Sequence, residues 1–379
     1  MTRAKRLIPM LLAAAAMTVV AGCGSDDNSG SSGSGSSSAA TATATPAAKA
    51  KVGVILPDTA SSARWENNDR PLLKAAFDAA GVDSDIQNAQ GDKAKFATIA
   101  DQMLNGGANV LLITNLDSPS AAAVIAKAKA QGVPVIDYDR LTLGGGASYY
   151  VSFDNVAVGT AQGEGLVKCM QANGDKSGDV ALLNGSPTDN NATLFKQGYE
   201  KVIKDAGYNI AADQSVPDWD NTKAGTIFEQ MYTKANGKFI GVDAANDGLG
   251  GAVVSVLKRN GQNGKVPVTG QDATDEGLQR VLTGDQCMTV YKAIKKEADA
   301  AAALAISLAK GDTAGADSQA TGSVDDTETK QKVKSVLLTP QAIFKDNVKD
   351  VVADGFTTAD KLCTSEALKK ACDENGVSG

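Results

Sequence analysis

From Lys51 onward, short and almost wholly apolar runs alternate with amphipathic stretches of helical length, and this alternation restricts the fold more than any other feature of the 379 residues. Lys51–Leu56 reads as a buried strand, and the periodic stretch from Arg64 to Ala80 as a helix stopped by Gly81. The pattern then repeats as strand 82–88, helix 93–105, strand 109–114, helix 118–131 ended by Gly132, and strand 133–137. Strands this apolar, joined by helices, predict a parallel sheet with helices packed on both faces.

A second series starts at Tyr149–Phe153 and continues through a helix to Met170, strand 179–183, a helix to Ala206, strand 209–216 and a helix to Lys234. Strand 239–242, a helix to Asn260, strand 266–270 and a helix to Leu282 complete it. The folded part, about 330 residues, is too long for one compact core. The expected class is therefore α/β, with two doubly wound parallel-sheet lobes. Gly163-Glu-Gly165 lies inside a helix, and Lys168 stands where a dinucleotide fingerprint needs its third glycine, so no nucleotide site is expected there. Gly144–Gly146 reads as a loop between lobes, and Asp325, Asp326 and Glu328 as solvated surface.

The N-terminus adds an address. Arg3, Lys5 and Arg6 precede an apolar run from Leu7 to Ala21, followed by Gly22 and Cys23. A basic start, a short apolar segment and small residues before a cut make a signal peptide over residues 1–22, too short to span a membrane. A cysteine directly after Ala-Gly resembles the lipobox of bacterial lipoproteins, which makes Cys23 the candidate lipid anchor and the location extracytoplasmic, on the outer face of the cell membrane. Residues 23–48, rich in Gly, Ser, Ala and Thr, read as a flexible tether. Disulfides persist outside the cytoplasm, and the four remaining cysteines allow three pairings. Cys363 with Cys372, pinning the C-terminal tail, and Cys169 with Cys287 are favoured.

Composition removes several function classes. Histidine is absent, which excludes Ser-His-Asp chemistry, imidazole base catalysis and His-containing zinc sites. A net charge of −7 without a dense basic cluster in the folded part argues against nucleic acid as partner. No metal or cofactor is expected. An uncharged polar ligand suits this chain better than a strongly anionic one.

In open parallel sheets, ligands sit beyond the carboxyl ends of the strands. Here those ends carry Asp137-Tyr-Asp-Arg140, Asn184-Gly-Ser-Pro-Thr-Asp-Asn-Asn191, Ala244-Ala-Asn-Asp247 and Gly270-Gln-Asp272, with Trp65 after the first strand and Trp219 after the strand ending near Val216. Carboxylates, amides and cations meet vicinal hydroxyls with paired donors and acceptors, and aromatic faces suit the C–H side of a sugar ring. The set describes a carbohydrate site.

Several stretches resemble the D-xylose-binding proteins of ABC sugar importers: Ser62-Ala-Arg-Trp-Glu-Asn-Asn-Asp-Arg70, Asp137-Tyr-Asp-Arg140, Tyr150-Val-Ser-Phe-Asp-Asn155, Gly185-Ser-Pro-Thr-Asp-Asn-Asn191, Ala245-Asn-Asp-Gly248, Gly270-Gln-Asp272, Met288-Thr-Val-Tyr-Lys292 and Leu337-Leu-Thr-Pro340. The resemblance runs through residues 50–358 and implies the type I periplasmic-binding-protein fold, two lobes joined by a three-segment hinge that close on one sugar. It implies crossings near Tyr149, Lys292 and Ser335, an N-terminal lobe of residues 49–150 and 293–334, and a C-terminal lobe of 151–292 and 335–379.

The same resemblance sets Arg64, Trp65, Asp139, Arg140, Asn190 or Asn191, Trp219, Asn246, Asp272 and Lys292 around the sugar, with Trp219 stacked on the ring and Asp139 orienting Arg140. Ribose and galactose binders of this class carry an arginine near the start of the helix that here holds Asn190, Asn191 and Thr193; this chain has none, so that contact is not carried over. Position 63 is Ala where xylose binders can carry an acid, and the cysteines and the tail beyond Asp360 lie outside the pattern.

The implied role is a monomeric receptor that does no chemistry and hands its sugar to a membrane permease driven by a separate ATPase. Two other readings remain open. A sensory receptor for a membrane kinase would use the same site, and a glycosidase would use two carboxylates such as Asp139 and Asp272.

Overall fold

The computed structural model describes residues 49–378; Cys23 and the signal and tether read at 1–48 lie outside the described residues. The strands are β1 (Lys51–Leu56), β2 (Asp83–Asn88), β3 (Val110–Ile113), β4 (Val135–Tyr138), β5 (Tyr149–Phe153), β6 (Asp179–Asn184), β7 (Asn209–Ser215), β8 (Phe239–Ala244), β9 (Thr289–Tyr291), β10 (Gly322–Asp326), β11 (Gln331–Leu338) and β12 (Gln341–Ile343). One sheet has the order β10-β11-β5-β4-β3-β1-β2, a second β7-β6-β8, and β9 pairs with β12. Apart from β10 against β11 and β9 against β12, the ladders are parallel, as the unbroken apolar runs require.

The first sheet is buried on both faces. Helices Lys93–Asn105 and Ser118–Ala130 cover one side. Arg70–Ala79 and the late helix Ile294–Ala309 cover the other, so the chain returns to this layer after building most of the second. The second layer packs around Leu182, Phe195, Tyr199, Trp219, Phe228 and Val253. The chain leaves the first sheet after β5, returns after β9 and leaves again after β11, giving three crossing segments.

Several expectations change. β5, read as the opening strand of the second series, pairs with β4 and β11 and so belongs to the first sheet. The Gly144–Gly146 loop consequently joins two strands of one sheet rather than two lobes. It is anchored by Asp326, which is only 1% exposed because its carboxylate accepts the backbone N–H groups of Gly144, Glu328 and Thr329. Asp326 is therefore a buried turn anchor, while Asp325 and Glu328 are exposed. The strand read at 266–270 reduces to a single bridge from Val268 to Val242, although backbone bonds from Val242 to Pro267 and from Cys287 to Val268 tie it in on both sides.

The helix read from Arg64 opens as a wide π turn, Trp65–Asp69, before the regular helix Arg70–Ala79. Pro71 has no N–H to give to Asn67, which loosens the turn at this point. Gly163 and Gly165 serve packing. A Cβ on Gly163 would lie 2.9 Å from Tyr199 Cα, and one on Gly165 2.8 Å from the Met288 side chain.

Cys169 is bonded to Cys287 and Cys363 to Cys372. The second bridge lies in a C-terminal tail whose Leu362, Ala371, Cys372 and Val377 pack on helix Asp275–Thr283. No helix among the described residues is long and apolar enough to cross a membrane.

Candidate ligand-binding site

The polar strand ends do two jobs. Helix N-termini leave backbone N–H groups without partners, and a side-chain oxygen just before the helix satisfies them. Asp189 caps helix Asn190–Asp205 by accepting the Asn191 N–H, and Asn246 caps helix Asp247–Arg259 by accepting the Leu249 N–H. Both caps also line a cavity between the two layers, which close so tightly around it that its free space, ≈ 30 Å³, has room for little more than water.

Nine of the ten residues read as ligand contacts line this cavity: Arg64, Trp65, Asp139, Arg140, Asn191, Trp219, Asn246, Asp272 and Lys292. Asn190, half-buried at the helix start, does not. Ser61, Ser62, Asp189, Phe195 and Gln271 join the lining without having been singled out. Asp69 and Glu297 stand behind it, and their carboxylates were missed altogether.

Arg64 is the most heavily bonded group. Its Nε and Nη2 donate to Asp69 at 3.0 and 2.7 Å, its Nη2 also to Glu297 at 2.6 Å, and its Nη1 to Asp139 at 2.8 Å. Four of its five N–H donors are thus committed to carboxylates. Asp139 receives Lys292 Nζ as well, at 3.5 Å, and Lys292 lies 3.6 Å from Asp272. Burial alone would raise the Asp139 pKa, but Lys292, Arg64 and Arg140 outweigh it and hold the carboxyl at about 2. Burial pushes Glu297 up to about 8 against the opposing pull of Arg64.

Asp139 does not orient Arg140. Arg140 is held instead by the Asn115 carbonyl at 3.1 Å, Ser61 Oγ at 3.4 Å and Asp189, whose Oδ2 lies 3.0 Å from its Nε. That last contact is ionic but off the angle of a hydrogen bond, so the buried Nε–H has no acceptor among the described residues. Gln271 Oε1 is likewise buried without a donor. Among its buried lining atoms, the Arg140 Nε–H thus lacks an acceptor and Gln271 Oε1 a donor, and a hydroxylated ligand can satisfy both.

The backbone is bent where the site needs it. Asp139 has φ 65°, Trp219 56° and Asp272 99°, values that L-residues avoid. At Asp139 the turn is secured by three donors to one carbonyl, from Tyr150, Ser152 and Asn191 at 3.0, 2.9 and 2.9 Å. Asn191 leaves the helix cap to Asp189 and bonds Asp139 instead. The two indoles are fixed by their N–H groups, Trp65 on Ser61 Oγ at 3.2 Å and Trp219 on Asp189 at 3.1 Å. Trp219 lies against Gly185, where a Cβ would come within 2.0 Å of the ring. Among the described residues no acidic or cysteine cluster is arranged to hold a metal ion.

Two helix-flanked parallel sheets, three crossings and a polar, indole-walled cavity at the strand ends define a bilobal binding protein. A family model for the periplasmic binding protein domain matches residues 52–313, and the chain belongs to that family, with its type I fold. It is similar to the D-xylose-binding periplasmic protein of Escherichia coli K12, 35% identical over 317 residues that cover 82% of this chain and 92% of that one. It is also 32% identical over 339 residues to the multiple sugar-binding periplasmic receptor ChvE of Rhizobium radiobacter, covering 82% and 92%. An ABC transporter solute binding protein from Clostridium phytofermentans with bound β-D-glucose matches in structure with a TM-score of 0.74 at 26% identity, over 82% of this chain and 99% of that one.

Proposed function

We propose that this chain is the extracytoplasmic sugar-binding subunit of an ABC importer, taking one monosaccharide, D-xylose first, between two closing lobes. The observation that carries the reading is the cavity itself: Arg140, Lys292 and Asp272 beside Trp65 and Trp219, with an unanswered donor on Arg140 and acceptor on Gln271. Similarity to proteins named for D-xylose and for multiple sugars supports the ligand class. In this reading the lobe boundaries expected at 150 and 334 move to the ends of β5 and β11, giving residues 49–153 with 293–338 and 154–292 with 339–379; the protein is a monomer, and lipid on Cys23 holds it to the membrane beside a permease with its own ATPase.

Closure follows from the geometry. A ligand that touches both layers stabilises only the closed arrangement, so binding and closure are one equilibrium. No catalysis is assigned: Asp139, held as an anion between Arg64 and Lys292, has no proton to give to a glycosidic oxygen near neutral pH.

The test uses the two tryptophans, both in the cavity lining. Ligand-stripped protein is titrated with xylose, ribose, arabinose, glucose and galactose while emission is followed. Saturation by xylose at the lowest concentration supports the reading, preference for another sugar moves the specificity, and silence with all five, checked by calorimetry, refutes it. A sensory role at the same site is favoured by the relative named as a receptor; co-purification with a membrane kinase rather than a permease would select it.

A further inference from the structure

We propose that Asp189 is the positioning residue of this site: it sets the Arg140 guanidinium and the Trp219 indole together, and so controls how long a bound sugar is held. The inference rests on the monosaccharide reading and adds to it a residue of the cavity lining whose carboxylate is engaged by protein groups.

The argument is one of atoms. Asp189 is 5% exposed and follows β6. Its Oδ1 accepts the Asn191 N–H at 2.9 Å, the cap of helix Asn190–Asp205. Its Oδ2 accepts the Trp219 Nε1–H at 3.1 Å and lies 3.0 Å from Arg140 Nε. Arg140 follows β4 of the first sheet, whereas Asp189 and Trp219 belong to the second layer. One carboxylate oxygen therefore ties a cation of the first layer to an aromatic wall of the second. Trp219 needs such a tie, since it sits at positive φ against Gly185, and ring orientation decides whether a sugar face can stack on it.

Every neighbour of Asp189 named above is a donor, which makes Asp189→Asn a selective probe. The amide has the same shape, and Asn is as good an N-cap as Asp. With its oxygen kept on the Asn191 N–H, its NH₂ group must face the Trp219 N–H, donor against donor, and the negative charge that holds Arg140 is gone. The cap survives and both positioning contacts are lost. Asp189→Ala removes the cap as well.

The full chain, wild type and Asp189→Asn, is titrated with D-xylose and D-glucose by calorimetry, with sugar dissociation followed by stopped flow. Acrylamide quenching of the ligand-free proteins reads the indoles directly. Arg140 also reaches Ser61 and the Trp65 ring, so the quenching is read in a Trp65→Phe background of both proteins, where it reports Trp219 alone. The expected result is a 10- to 100-fold weaker affinity, the loss of about one charge-assisted contact, carried mainly by faster dissociation, together with altered quenching and a nearly unchanged melting temperature. Affinity within twofold of wild type, or quenching that does not change, overturns the proposal. A loss of affinity that only tracks a fall in melting temperature marks Asp189 as a helix cap and overturns it too. If the wild type binds neither sugar, the monosaccharide reading fails, and ligand-free quenching alone decides the role of Asp189.

Discussion

Asp243 offers a prediction whose size follows from burial alone. It lies on β8, is fully buried, and neither carboxylate oxygen has a hydrogen-bond partner among the described residues. The nearby Thr269 hydroxyl is engaged with the backbone of Ala244 instead. Burial pushes the Asp243 pKa up to about 8, so the folded protein holds this carboxyl protonated at neutral pH while the unfolded chain, near 4, does not. The folded state then binds the extra proton, and its stability falls as pH rises from about 4 to about 8. Asp243→Asn substitutes a neutral group of the same size and removes the penalty. At about 1.4 kcal/mol per pH unit, the variant's advantage is small near pH 5, grows to a few kcal/mol by pH 8 and levels off above it. For about 330 ordered residues, a few kcal/mol is a rise in melting temperature of several degrees, largest at the highest pH. Melting curves of wild type and variant across this pH range measure it. A difference that stays constant with pH would refute the burial argument. Sugar affinity should not move, since Asp243 does not line the cavity.

Other outcomes are equally definite. Arg140→Ala should cost about 2–4 kcal/mol of sugar binding by calorimetry, through loss of a charge-assisted contact and exposure of Asp189 without its cation. Lys292→Met should weaken binding at least 10-fold. Arg64→Met should instead destabilise the fold by about 3–5 kcal/mol in denaturant melts, because Asp69, Asp139 and Glu297 lose a shared buried cation. Cys23→Ser should move the protein from the membrane fraction to the soluble one; retention in the membrane overturns the anchor.

The sequence made the layers and most of the cavity legible because both follow local rules. Apolar runs bounded by glycine mark the strands, and charge or amide just past a strand marks the ligand side of the sheet. Chain pairing is less local. Nothing in Tyr149–Phe153 says that it will lie between β4 and β11, since that choice depends on a strand almost two hundred residues later. The missed carboxylates had a readable signal. Glu297 falls on the same helical stripe as Ile294, Ala298 and Ala301, and Asp69 is four and eight residues before Leu73 and Phe77. An acid on an apolar stripe needs a buried cation, and Arg64 is the one it finds. Asp189 was hidden for another reason: as the residue before a helix it already had a sufficient explanation as a cap.

The distances around the cations separate bracing from binding. Charge-assisted bonds that are fully made run about 2.7–2.9 Å. Three of the four Arg64 contacts fall at or below that range and the fourth at 3.0 Å, so this guanidinium is spent on the protein and fixes the position of Asp139. Lys292 is different. It stands 3.5 and 3.6 Å from Asp139 and Asp272, near enough to be held by charge but too far to have committed its protons. Its ammonium, the remaining Nη1 hydrogen of Arg64, the Arg140 Nε–H and the Gln271 carbonyl are the groups with capacity left. They come from both layers and from the crossing segment after β9. In the proposed reading, a small polyol that satisfies them bridges the layers, so its binding is coupled to their closure.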